Sequence, residues 1–141
     1  MYRSKILTIV FFFSALFVHA EESVSTPRNQ LAPTPPMGWM TWNMFKGDIS
    51  DQLIRETADA MVESGLADAG YKYIFIDDLW QGGRDCHNNI IPDPKKFPHG
   101  IKALADYVHS KGLKLGIYSD AAQLTCGGYT ASYGFEEQDA R

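Results

Sequence analysis

The sequence predicts an α/β fold on a parallel sheet, organised like the first three βα units of a (β/α)8 barrel. Three observations predict it. Short apolar runs end abruptly in polar or acidic residues, at Trp42-Asn43, Asp77-Asp78 and Tyr118-Ser119-Asp120. Stretches with apolar residues at helical spacing separate those runs. Tyr73 to Ile76 has no polar break, as expected of a strand buried on both faces.

The elements follow in order. Met37 to Trp42 is apolar and aromatic after Pro35-Pro36 and reads as a short first strand, weakened by Gly38. Ser50 suits a helix N-cap, with Asp51 in the first turn where the helix dipole favours a negative charge. Leu53, Ile54, Ala58, Met61 and Val62 form that helix's apolar stripe, and Gly65 and Gly70 are stop signals. Tyr71 to Ile76 is the second strand. Leu79 to Phe97 reads as one long loop, with Gly82, Gly83, Asn88, Asn89, Pro92 and Pro94. Loops of that length inside a compact domain are usually functional. Pro98 suits the first turn of a second helix, Ile101, Leu104, Ala105 and Val108 its apolar face, and Gly112 its C′ position. Leu113 to Tyr118 is the third strand, and Glu136 to Arg141 the opening turns of another helix.

Three parallel strands leave open edges and uncovered apolar faces. A closed barrel takes roughly 250 residues, so residues 35–141 are expected to be its incomplete N-terminal part. Alone, the 141-residue chain is expected to be inactive and prone to aggregate.

Residues 1–20 have the pattern of a secretory signal peptide. Arg3 and Lys5 precede the apolar run Ile6 to Val18, and Val18 and Ala20 fit cleavage after Ala20. The run is shorter than the ~20 residues a membrane span needs. A secreted or periplasmic protein is expected, with no membrane association after cleavage. Residues 21–34 form a polar lead-in with Pro27 and Pro33.

Composition bounds the function. Hydrophobic residues make up 45% and charged residues 21%, as in ordinary soluble domains. The net charge is −4, and −6 once Arg3 and Lys5 leave with the leader. That excludes a basic nucleic-acid-binding surface and argues against an anionic membrane partner. Neither Cys86 nor Cys126 belongs to a CxxC, which argues against a zinc ribbon or a thioredoxin-like site; outside the cytosol the two can pair.

Ligands of parallel α/β folds bind at the C-terminal ends of strands, where this sequence concentrates its polar groups. Asp77 and Asp78 admit two readings. Both carboxylates grip neighbouring hydroxyls of a sugar while Trp42 packs on its apolar face, or one caps a turn while the other is solvated. Asp120 is the one further carboxylate suited to join them on a cation; His87, His99 and His109 are scattered and read as structural or solvated. No GxGxxG follows the first strand, and P-loop, HExxH and nucleophile-elbow motifs are absent. No cofactor and no metal are expected.

Leu31-Ala32-Pro33-Thr34-Pro35-Pro36-Met37-Gly38-Trp39, then Trp42-Asn43, resembles the opening strand of melibiase-type glycoside hydrolases, which include α-galactosidases and α-N-acetylgalactosaminidases. The similarity continues through Arg55 to Val62 and Tyr73 to Trp80, and is strongest from Phe97 to Asp120. The resemblance implies a (β/α)8 barrel, usually followed by a β-sandwich, and retaining hydrolysis by two Asp residues. The nucleophile is expected after strand four in a Lys-aromatic-Asp motif and the acid/base after strand six, so no catalytic residue is expected in this sequence. Trp42, Asp77, Asp78 and Tyr118 match positions lining the galactose pocket. There the paired aspartates hold hydroxyls remote from the bond being cut and so orient the anomeric carbon.

The substrate implied is an α-galactoside oligosaccharide or glycan. An α-N-acetylgalactosaminidase, or a truncated sugar-binding remnant, remains open, since the loop that discriminates the two sugars is expected beyond Arg141. Cys126 matches a cysteine whose disulfide partner follows the nucleophile, so it is expected to lack that bond. Gly47 and Leu79 stand where many members carry paired cysteines, and Cys86 where a small polar residue is expected. Pairing of Cys86 with Cys126 is left open.

Overall fold

The computed structural model describes residues 34–141. The expected signal peptide at 1–20, and the expected lead-in apart from Thr34, lie outside the described residues. The chain forms β1 (Gly38–Met40), α1 (Trp42–Phe45), α2 (Asp51–Glu63), β2 (Tyr73–Ile76), β3 (Gln81–Arg84), β4 (Ile90–Pro92), α3 (Gly100–Ser110), β5 (Lys114–Ile117) and α4 (Glu136–Asp139). Strands β1, β2 and β5 make a parallel sheet in the order β1-β2-β5, with Gly38 opposite Tyr73 and Ile76 opposite Ile117. Among the described residues no helix is long and apolar enough to cross a membrane.

Local chemistry explains the longer elements. Ser50 has an extended backbone, and its hydroxyl accepts the Leu53 N–H at 3.2 Å, which satisfies a first-turn donor of α2. Asp51 in that turn takes an ion pair from Arg55 at 2.6 Å. At the end of α3 the Gly112 N–H bonds the His109 carbonyl and the Leu113 N–H the Val108 carbonyl, a Schellman close that feeds directly into β5. Gly38 belongs in β1 because the two backbones approach closely there. A Cβ on it would come within 2.7 Å of Tyr73 Cβ.

The core lies on one side of the sheet. Ile54, Ala58 and Met61 of α2 and Leu104 and Val108 of α3 pack with Ile74 and Ile76 of β2, joined by Leu113, Phe97 and Trp80. Each of the larger of these side chains contributes on the order of 1.5–3 kcal/mol by leaving water.

Several expectations are corrected. β2 is sealed on one face only. Tyr73 and Phe75 point the other way, half-buried and stacked on each other at 5.6 Å, because α2 and α3 both pack on the Ile74–Ile76 side. Val62 is exposed and leaves the stripe of α2. The first strand stops at Met40, and Trp42 opens the single turn of α1 instead. The second helix starts at Gly100 rather than Pro98, since Gly100 sits at φ +76° and breaks the helical path just after the proline.

The segment 79–97 is not one loop. It contains the antiparallel β3–β4 hairpin, with a register shift between Gln81 and Gly83. Its turn is held by the Asp85 carboxylate, which accepts the N–H groups of His87 and Asn89, both at 2.8 Å. Two glycines in β3 and a proline in β4 hide the strand pattern from the sequence.

Candidate functional site

The segments that follow β1, β2 and β5 meet at one end of the sheet. Thr41, fully buried just after β1, joins two of them: its N–H donates to the Phe75 carbonyl at 3.1 Å, and its hydroxyl accepts the Asp77 N–H at 3.0 Å. The backbone at the end of β2 is thereby tied to β1 before any ligand arrives.

Asp77 and Asp78 then divide the work. Asp77 is half-buried, and its Oδ1 accepts the Asp78 N–H at 2.7 Å. Among the described residues its Oδ2 takes no hydrogen bond. Asp78 is 2% exposed. Its Oδ1 accepts the Leu79 N–H at 2.7 Å, and its Oδ2 the Gly127 N–H at 2.8 Å, which tethers the segment after β5. A carboxylate has about four acceptor positions, so each oxygen of Asp78 keeps capacity for a ligand hydroxyl. The turn-capping reading holds for Asp78, which also sits beside Asp77 at the strand end.

Tyr118 continues β5. Its N–H donates to the Ile76 carbonyl at 2.9 Å, and its own carbonyl accepts the indole N–H of buried Trp80 at 2.8 Å. Its hydroxyl donates to Asp120 Oδ2 at 3.1 Å. Burial, and secondarily the Asp120 carboxylate, push the phenol well above its ordinary value, so it stays neutral and works as a donor. Trp42 follows Thr41 directly and is half-buried, but no hydrogen bond or ring stacking ties it to the other three among the described residues.

Both cysteines are exposed free thiols, so the Cys86–Cys126 pairing is not formed. Cys86 lies 3.3 Å from His87 Nδ1, and Cys126 4.0 Å from Asp120 Oδ2. Among the described residues, no three His, Cys, Asp or Glu side chains converge as metal ligands would; Asp120 turns to Tyr118. Gly47 and Leu79 are in contact: a Cβ on Gly47 would lie 3.5 Å from Leu79 Cβ.

Three organising residues escaped the sequence reading. Besides Thr41 they are Lys96 and Arg84. Lys96 Nζ donates to the carbonyls of Gly47 at 2.9 Å and Leu79 at 2.6 Å. Arg84 on β3 donates to Asn88 O at 2.6 Å, Ala131 O at 3.0 Å and Asp139 Oδ1 at 2.8 Å, and covers the Phe135 ring at 4.2 Å. Its guanidinium holds the Asp139 carboxyl below the usual carboxylate range, against the opposing effect of burial. The only signal for these roles was the cluster of turn residues around them. Hairpin and β5 segment also enclose an open cavity of about 340 Å³ lined by Gln81, Asp93, Leu124 and Tyr129 among others.

Comparison with known proteins points the same way. The sequence pattern of the melibiase family described as Alpha galactosidase A matches residues 34–141. Alpha-galactosidase A of Cellvibrio japonicus is 53% identical over 138 residues, covering 98% of this chain and 34% of that protein. The alpha-N-acetylgalactosaminidase of Homo sapiens is 54% identical over 111 residues, covering 72% and 27%. The structure of the alpha-galactosidase from Saccharomyces cerevisiae with raffinose superposes with a TM-score of 0.78 at 47% identity, over 79% of this chain and 25% of that one. The chain spans about a third or less of the length of the relatives it matches. Its sheet and helices are the opening βα units of a (β/α)8 barrel.

Proposed function

This chain belongs to the melibiase family described as Alpha galactosidase A, and on that premise we propose that the protein carrying it hydrolyses terminal non-reducing α-D-galactose residues with retention of configuration. The observation that carries the reading is the end of β2. There Asp77 offers an open carboxylate oxygen beside the anchored Asp78, in the position where barrel enzymes of this architecture bind ligands.

Asp77 and Asp78 accept hydroxyl protons of the galactose, the Tyr118 phenol, whose one proton goes to Asp120, offers its oxygen as an acceptor, and Trp42 covers an apolar face of the ring. These contacts bind and orient the sugar. Nucleophile and acid/base are supplied by residues outside this sequence, and hold their carboxyls ~5–5.5 Å apart as retaining enzymes do. The natural substrate is an α-galactoside oligosaccharide or glycan. The leader 1–20 directs secretion or periplasmic export, and Cys126 lacks the family disulfide within this sequence.

The test is to express the whole reading frame containing this sequence and compare cleavage of chromogenic α-galactoside and α-N-acetylgalactosaminide, following the released anomer by NMR. Release of α-galactose first supports the proposal. Preference for the N-acetylated sugar moves the specificity to the second member of the family, and cleavage of neither removes the enzymatic reading.

A further inference from the structure

We propose that Lys96 is a positioning residue for the Asp77–Asp78 pair, an inference that rests on the reading of this strand end as the sugar-binding site. Lys96 lies in the connection between β4 and α3, far in sequence from Gly47 and well separated from Leu79. Its ammonium nevertheless donates to both of their carbonyls, at 2.9 and 2.6 Å. Its third direction faces the Tyr129 ring, 5.9 Å from the centroid. One half-buried cation therefore touches the segments that follow β1, β2 and β5. Among the described residues no carboxylate lies within ion-pair distance of it. Its charge is spent on main-chain carbonyls.

The residue it grips is the one whose backbone needs holding. Leu79 has φ +75°, a left-handed conformation that bulky side chains rarely adopt and that persists only where its surroundings impose it. Both of its main-chain groups are held: the N–H by Asp78 Oδ1 and the carbonyl by Lys96. Releasing the carbonyl lets the peptide relax, and the N–H leaves Asp78 Oδ1 as it does so. The Asp78 carboxylate then turns about its remaining bond to Gly127. Lys96 thus acts on the sugar contacts through Leu79, without touching the ligand. Its own carbonyl accepts the Asp51 N–H at 2.8 Å, so the start of α2 anchors the lysine in turn.

The same joint can be closed another way. The 3.5 Å separation between a Cβ built on Gly47 and Leu79 Cβ lies at the near edge of the range a disulfide spans, roughly 3.5–4.5 Å. A Gly47→Cys/Leu79→Cys pair, oxidised with glutathione disulfide, replaces the ammonium by a covalent link.

The experiment uses the whole-frame protein with three changes: Lys96→Met, Lys96→Arg, and Lys96→Met combined with the two cysteines. Two readouts are taken, kcat and KM on a chromogenic α-galactoside, and hydrogen exchange at the Leu79 and Gly127 amides. Lys96→Met is expected to lower kcat/KM roughly 10- to 100-fold, mostly through KM, the scale that a displacement of about 1 Å in a binding group produces. It also speeds exchange at Gly127, which Lys96 does not bond. Lys96→Arg, and the oxidised but not the reduced cysteine pair, restore both. Wild-type KM and Gly127 exchange in Lys96→Met overturn the proposal. So does an oxidised pair that recovers thermal stability without recovering KM or the Gly127 amide, which makes the lysine a stabiliser alone. If the wild-type protein cleaves no glycoside, the sugar-site reading fails by itself, and exchange at Gly127 decides the role of Lys96.

Discussion

The ends of β2 and β5 meet at one site but are held by different means. After β2, Asp77 and Asp78 accept from backbone N–H groups of Asp78, Leu79 and Gly127, while Thr41 takes the Asp77 N–H and Lys96 the Leu79 carbonyl. After β5, several of the ties run between side chains: Tyr118 on Asp120, Ser119 on Ser132 and, further along, Asp139 on Arg84. A buried carboxylate bonded to main-chain donors cannot be replaced without orphaning them, whereas removing one member of a part-buried side-chain pair orphans only the other side chain. The end of β2 is the wall of the site held through main-chain groups, and the end of β5 the wall held largely through side chains.

The sharpest way to break this contrast is Asp78→Ala. It strands the N–H groups of Leu79 and Gly127, at about 1–3 kcal/mol for each orphaned group, and is expected to remove most activity of the whole-frame protein. Denaturant unfolding and kcat/KM are the checks, and near-wild-type values in both leave Asp78 without its role. Asp77→Ala should separate binding from stability. It loses a comparable share of activity while unfolding shifts by only ~1 kcal/mol, since just one of its oxygens serves the fold.

Arg84→Met tests the wall held through side chains, at roughly 1–3 kcal/mol for a largely buried charge with several partners, and adds a pH signature. The Asp139 carboxyl is held below its unfolded value near 3.9 by Arg84. Its contribution is therefore complete above that pH and lost as the pH falls through the lower folded value. The stability gap between wild type and Arg84→Met should be flat from about pH 8 to 5 and close below about 4. A gap that instead widens in acid assigns the pairing elsewhere. Tyr118→Phe is the mildest change, removing a single bond to Asp120 at roughly 0.5–1.5 kcal/mol. A loss larger than that of Asp78→Ala reverses the comparison of the two walls.

Much of the frame was legible in the chain. Ser50 as cap, Gly112 as stop, the stripes of α2 and α3 and the three strands all follow from spacing that acts over one or two turns. The family was legible because motifs such as Tyr73 to Trp80 are contiguous. The hairpin inside 79–97 was not, since Gln81-Gly82-Gly83-Arg84 carries no β pattern and its pairing shows only with the Asp85 turn in place. Thr41, Arg84 and Lys96 showed only through the turn residues around them, because each makes its decisive contacts with residues far along the chain.

The sequence by itself determined the α/β order, the positions of the acidic strand ends and the membership of the family, all of which rest on local propensity and on runs of adjacent residues. Tertiary structure alone decided which face of β2 is sealed, that Asp78 is buried and anchored while Asp77 keeps an open oxygen, and that Lys96 joins Gly47 to Leu79. Those outcomes depend on how close main-chain groups from distant segments come. Such distances are set by packing α2 and α3 on one side of the sheet, and no window of neighbouring residues records them.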